Sequence, residues 1–199
     1  MCVNFEIEKE LFKKGYRIIA GVDEVGRGAL CGPVVAAAVI LDNNKPFIEG
    51  VKDSKQIAPE KRKKLAKLIF KKAKGVGIGI ASKMEIDVNN IFVATNMAIK
   101  RAIKNLPIEP DFLLVDGRPL KNCHYPQRGI ISGDKKCLSI ASASIVAKVI
   151  RDEMMIIYDQ FIPGYSWNKN KGYGTREHFT ALNELGPSLL HRITFNIIK

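Results

Sequence analysis

The sequence predicts an α/β layered domain, and three features carry that reading. Apolar runs of strand length recur at residues 18–22, 34–41, 76–81 and 112–115, the first two rich in β-branched residues. Segments with helical spacing of apolar residues lie among them, at 59–74, 91–103 and 137–158. Carboxylates stand where two of the runs end, at Asp23, Glu24 and Asp116, and α/β domains gather their sites at strand ends. A chain of 199 residues is long enough to bury a sizeable core around such a sheet.

Taken in order, residues 3–15 are predicted to form a short amphipathic helix ending at Gly15, with Phe5, Leu11 and Phe12 available for packing. A turn carrying Gly26, Gly28, Gly32 and Pro33 joins the first two strands, and such residues supply unusual backbone angles. Asp42, Asn43, Asn44 and Pro46 mark a loop. Pro59 and Glu60 suit a first helical turn, Leu65, Leu68 and Ile69 give that helix an apolar face, and its lysines and Arg62 cover the other faces. Residues 76–81 read as a third strand with tolerated glycines. GVGIG lacks the GxGxxG spacing and no GxxxxGK occurs, so neither a dinucleotide fingerprint nor a P-loop is indicated. Pro107 and Pro110 close the helix at 91–103. The strand at 112–115 ends in Asp116-Gly117-Arg118-Pro119, and a further strand around 129–131 leads into Ser132-Gly133-Asp134. The helix at 137–158 opens with small residues, the composition of a helix packed close to a sheet. Gly172 and Gly174 then hold Tyr173 on a tight turn. Core packing is the ordinary reading of that ring, and a stacking surface for a sugar or base the sharper one. His178 and His191 are too far apart for a recognised zinc motif and are read as structural.

The formal charge of +12 favours a polyanionic partner, nucleic acid before membrane, because no basic amphipathic anchor or lipidation motif accompanies it. Cys2, Cys31, Cys123 and Cys137 are widely spaced without a CxxC, which argues against a zinc knuckle or a disulfide framework and for reduced thiols in the cytoplasm. The N-terminus lacks the continuous apolar core of a signal peptide, and no run approaches membrane-span length.

The acids carry the chemistry. Two adjacent charges at a buried strand end are costly unless a cation or hydrogen bonds hold them, so Asp23 and Glu24 suggest a metal site. The alternative is that one caps the turn and the other faces water. Asp116 repeats the placement. Asp134 reads equally as an N-cap before the long helix or as a further ligand.

GVDEVGRGALCGPVVAAAVIL, the DSK at 53–55, VDG at 115–117, GDKKCLSIASASIVAKVIRD, NKGYGT and HRITF occur in order, and together the chain resembles bacterial-type ribonuclease HII from about residue 18 to residue 195. The short leader before the first strand favours HII over HIII. The resemblance implies a ribonuclease H fold over 1–199: a central mixed sheet flanked by helices to about residue 160, then a helical C-terminal extension. It also implies that Asp23, Glu24, Asp116 and Asp134 are catalytic and hold Mg²⁺ or Mn²⁺. By the same resemblance, Gly26, Arg27 and Gly28 read the ribose 2′-hydroxyl with Tyr173; Lys55 is expected as a further substrate contact, a place for the excess positive charge to meet phosphate. The implied substrates are RNA–DNA hybrids and duplex DNA containing ribonucleotides, cut on the 5′ side of the ribonucleotide to leave 3′-hydroxyl and 5′-phosphate ends. The implied roles are ribonucleotide removal and RNA primer degradation, by a cytoplasmic monomer with no membrane partner. Cys31 and Thr194 depart from the family's usual residues without touching the acids. Another metal-dependent nuclease or nucleotidyl transferase on this fold would share the acids without needing the glycine turn. A hybrid-binding module would share the charge without needing the acids.

Overall fold

Alternation along the apolar runs builds a sheet with two covered faces. The computed structural model describes residues 3–42, 50–51, 54 and 57–195. Its strands are β1 (Ile19–Val25), β2 (Val34–Ile40), β3 (Gly75–Ala81), β4 (Phe112–Asp116) and β5 (Gln127–Ile130). They form one mixed sheet in the order β3-β2-β1-β4-β5. β1, β2 and β3 pair antiparallel, whereas β4 lies parallel to β1 and β5 parallel to β4. The helices are α1 (Glu6–Lys13), α2 (Pro59–Lys72), α3 (Lys83–Lys104), α4 (Leu138–Phe161), α5 (Trp167–Asn170) and α6 (Arg176–Leu185). The expected mixed sheet flanked by helices, with helices closing the chain, is therefore present.

Side chains alternate between the two faces of each strand. Ala20, Val22, Val34, Ala36, Ala38, Leu113 and Val115 pack with Ile86, Ala94, Ala98 and Ile99 of α3. Val35, Ala37 and Val39 meet Leu65 and Ile69 of α2 and Ala141, Ile145 and Val146 of α4 on the other face. Close approach explains the strand glycines. A Cβ on Gly77 or Gly79 would collide with the α3 backbone, and one on Gly21 with the α4 backbone at Ser139 and Ile140.

Three local features depart from the sequence reading. α3 begins well before residue 91, because Ser82 and Glu85 form a reciprocal capping box. The helix bends at Asn90 (φ 65°), whose Oδ1 accepts from the N–H groups of Phe92 (3.0 Å) and Val93 (3.2 Å) and so caps the half that begins there. Arg62 does not cover an outer face of α2. It is buried, donating to the carbonyls of Ser54 (2.9 Å) and Ile57 (2.8 Å) and pairing with Asp152. Asp134 does not cap α4, which starts at Leu138 after Cys137. Glu8 of α1 takes that part instead: its buried carboxylate accepts from Ser139 N–H at 2.9 Å and Cys137 Sγ at 3.0 Å. A carboxylate there also complements the helix dipole. Among the described residues, no helix is long and apolar enough to cross a membrane.

Candidate active site

β1 and β4 run parallel with Val22 beside Val115, so the next residues on each, Asp23 and Asp116, stand side by side just past the last paired residues of these two strands, Asp23 still paired with β2 and Asp116 with β5. Alternation sends Asp23 to the α4 face and Glu24 toward α3. Glu24 and Asp116 line a cleft of about 760 Å³ with Arg27, Phe92, Val93 and Arg118. β5 then carries the chain into a 3₁₀ turn, Gly133–Lys135, where Gly133 N–H donates to Asp116 Oδ1 at 2.7 Å. That bond fixes the turn carrying Asp134, which is buried, to the end of β4. All four acids thus come from the β1 end, the β4 end and the turn after β5.

Their electrostatics are those of crowded carboxylates. Burial, then the charges of Glu24 and Asp116, push Asp23 well above the usual carboxylate range, against hydrogen bonds from Ser144 and the Glu24 backbone. Burial raises Glu24 too, and the Arg27 guanidinium, 3.1 Å from its Oε1, opposes the shift. Oxygen-only donors that repel one another at the mouth of a cleft suit a hard divalent cation, which removes the repulsion and satisfies the lone pairs. The oxygen-only chemistry of Asp23, Glu24 and Asp116 therefore fits a hard divalent cation, although among the described residues no three of the acids bring their oxygens within 4.8 Å of one another.

Beside the acids, the turn after β1 is held from inside the protein. Gly26 adopts φ +96°, and a Cβ there would run into the Arg151 side chain and the Pro33 carbonyl. Arg192, fully buried, donates to the carbonyls of Gly26 (2.7 Å), Arg27 (2.9 Å), Ala29 (2.7 Å) and Gly32 (2.9 Å). Arg151, also fully buried, donates to Pro33 O at 2.9 Å, Cys31 O at 3.2 Å and Lys171 O at 2.9 Å. Leu30 N–H donates to Gly172 O at 2.8 Å, which joins this turn directly to the loop bearing Tyr173. The Tyr173 ring is half-buried, with Arg151 Cζ 5.3 Å and Lys148 Nζ 5.6 Å from its centre.

Sequence reasoning missed both arginines as builders of the site. Apart from Lys171, their partners lie 118 to 166 residues away and leave no local pattern. It also left His178 and His191 unconnected, although the fold brings their Nε2 atoms to 3.0 Å. Ser54 of the DSK stretch reaches Ser144 at 3.0 Å. Lys55, expected as a substrate contact, lies outside the described residues.

A family model described as ribonuclease HII matches residues 20–197. The chain belongs to the ribonuclease HII family. It is 50% identical over 191 residues to ribonuclease HII of Caldicellulosiruptor bescii, covering 96% of this chain and 92% of that one. It is 49% identical over 186 residues to the Thermotoga maritima enzyme, with 94% and 76% covered. The fold is similar to ribonuclease H2 of Pyrococcus horikoshii OT3, with a TM-score of 0.75, 25% identity and coverage of 91% and 95%. It is also similar to a manganese-containing structure of Bst-RNase HIII, with a TM-score of 0.66, 19% identity and coverage of 90% and 67%. This ribonuclease HII family member is thus a ribonuclease H, an endonuclease of RNA–DNA hybrids.

Proposed function

We propose that this ribonuclease H cuts on the 5′ side of a ribonucleotide embedded in duplex DNA as well as within hybrids, leaving 3′-hydroxyl and 5′-phosphate ends. In the cell it would serve ribonucleotide removal and RNA primer degradation. The observation that carries the reading is the crowding of Asp23, Glu24 and Asp116 beside a buttressed glycine turn. When bound, a divalent ion supplies positive charge that favours ionisation of the attacking water and stabilises the leaving 3′-oxygen. Asp23, Glu24, Asp116 and Asp134 hold that charge in place, and Arg27 orients Glu24. Water adds to phosphorus, the P–O3′ bond breaks, and the departing oxygen takes a proton.

Gly28 supports the turn as the reader of the 2′-hydroxyl, the group that separates RNA from DNA. Its φ is not in the left-handed region, and nothing lies within 4 Å of where its Cβ would stand. The fold alone does not require glycine there; close approach of a ligand does. Gly28→Ala is accordingly expected to keep its urea midpoint and lose about 10-fold or more in kcat/KM. A destabilised variant with normal turnover per folded molecule would refute this.

Tyr173 supports reading of a single junction. An aromatic stack on a sugar or base contributes on the order of 1–3 kcal/mol, so Tyr173→Ala should lower turnover by about 10- to 100-fold. The loss should be larger on a duplex with one ribonucleotide than on a continuous hybrid, which offers many registers. Equal losses on both, with thermal stability intact, would show that Tyr173 does not select the junction. The decisive test of the function is cleavage of that one-ribonucleotide duplex with and without Mg²⁺ or Mn²⁺, mapping the cut. Cleavage of continuous hybrid alone would sink the junction reading.

A further inference from the structure

His178 and His191 are both fully buried, and two of their neighbours dictate where the imidazole hydrogens sit. Trp167 Nε1–H can only donate, and it reaches His178 Nε2 at 3.2 Å. The Ser188 backbone N–H can only donate, and it reaches His191 Nδ1 at 2.9 Å. Both of those ring nitrogens are therefore bare acceptors. His191 must carry its hydrogen on Nε2 and give it to His178 Nε2 at 3.0 Å. His178 must carry its hydrogen on Nδ1 and give it to the Tyr173 carbonyl at 2.9 Å. Donation thus runs one way, from Ser188 through His191 and His178 to Tyr173. Both rings are neutral in this arrangement, consistent with burial lowering His178, and burial together with His178 lowering His191 to about 4.

The chain starts beside the glycine turn. His191 precedes Arg192, which gathers the carbonyls of residues 26 to 32, and forms a β-bridge with Cys31. We propose that His178 and His191 are positioning residues that lock Tyr173 to the Gly26–Gly28 turn, so that the ring and the turn meet the substrate's sugar backbone as one unit. The proposal rests on the reading of Tyr173 as a substrate contact. Cys31 Sγ and the imidazole nitrogens lie within 4.8 Å of one another, which raises a thiophilic metal centre as the competing reading. Two observations favour the hydrogen-bond chain. The lone pair of His178 Nε2 already receives two N–H groups, and burial pushes the Cys31 thiol up to about 12, keeping it protonated.

Nitrogen-15 NMR of the full chain reads the tautomers directly and independently of activity. The expected result is Nδ1–H for His178 and Nε2–H for His191; an Nε2–H tautomer at His178 overturns the proposal. Substitution tests the consequence. His178→Asn keeps an N–H donor near the Nδ1 position and should retain most activity. His178→Gln moves its amide toward the Nε2 position and strands the Tyr173 carbonyl. It should lower kcat about 10-fold on the one-ribonucleotide duplex, and less on continuous hybrid, with KM little changed. Equal behaviour of the two variants, or equal loss on the two substrates, overturns the positioning role. A thiolate-to-cobalt absorption band at one equivalent of added Co²⁺ would replace it with a metal centre. If Tyr173→Ala is silent on both substrates, the substrate reading of Tyr173 fails, and the tautomers still decide the hydrogen-bond chain.

Discussion

Replacing Asp23 or Asp116 by Asn is expected to lower turnover by about 100-fold or more while the protein stays folded. The substitution keeps side-chain size and removes one negative charge from the proposed ligand set. Its signature lies in stability as well as rate. Burial and the neighbouring carboxylates raise Asp23 above its ordinary value of 3.8, so the folded state holds this proton more tightly than the unfolded state does. The sign follows: in chelator-treated wild type, this residue's contribution to stability falls as pH rises above that ordinary value. It levels off only above the raised value. Asp23→Asn removes this dependence, and the metal-free variant should unfold at higher urea than metal-free wild type at neutral pH. Adding Mg²⁺ should stabilise wild type more than the variant, because binding to the native state adds to its stability. Near-normal turnover of both variants across Mg²⁺ and Mn²⁺ titrations would remove these acids from the site.

Arg192→Met should destabilise the protein by about 3–5 kcal/mol, the cost of breaking a buried, fully bonded charged group. Among the described residues, the hydrogen bonds of its guanidinium run to backbone carbonyls of residues 26 to 32. Methionine fills much of the volume but removes the guanidinium donors, and each carbonyl left unmet costs about 1–3 kcal/mol before relaxation. Arg192→Lys should fall between, since a single ammonium cannot span the fan of acceptors that the planar fork reaches. Turnover should drop with the turn even where the variant is kept folded by low temperature. Urea midpoints and single-turnover rates, measured together, check both halves. A methionine variant within about 1 kcal/mol of wild type and fully active would show that the turn holds itself.

The strand-end acids were legible because alternation and chain punctuation are local properties. A buried run that stops on a carboxylate marks the site end of a strand: Asp116 is the last residue of β4, whereas Asp23 and Glu24 lie inside β1, which runs on to Val25 because it stays paired with β2. Asp134 was ambiguous for a physical reason. The usual local cap of α4 is supplied by Glu8 from a different helix, so proximity in sequence does not make Asp134 the cap. The first half of α3 was legible and overlooked: Ser82-x-x-Glu85 is a capping-box pattern. Arg62 was misplaced because pattern reading puts charge outside by default, and its partners, the carbonyls of Ser54 and Ile57 and the carboxylate of Asp152, leave no local signal in the sequence. The pairing of His178 with His191 and the grip of Arg192 depend on tertiary closure of the C-terminal segment. No spacing rule registers that.

The grip of Arg192 on the glycine turn also sets an order of events during synthesis. Its acceptors lie 160 to 166 residues upstream, so they leave the ribosome long before their donor does. A domain generally folds as a unit. The turn beside Asp23 and Asp116 therefore cannot be fastened until residue 192 has emerged, and a chain stalled before it carries the four acids without the donor that holds the surface next to them.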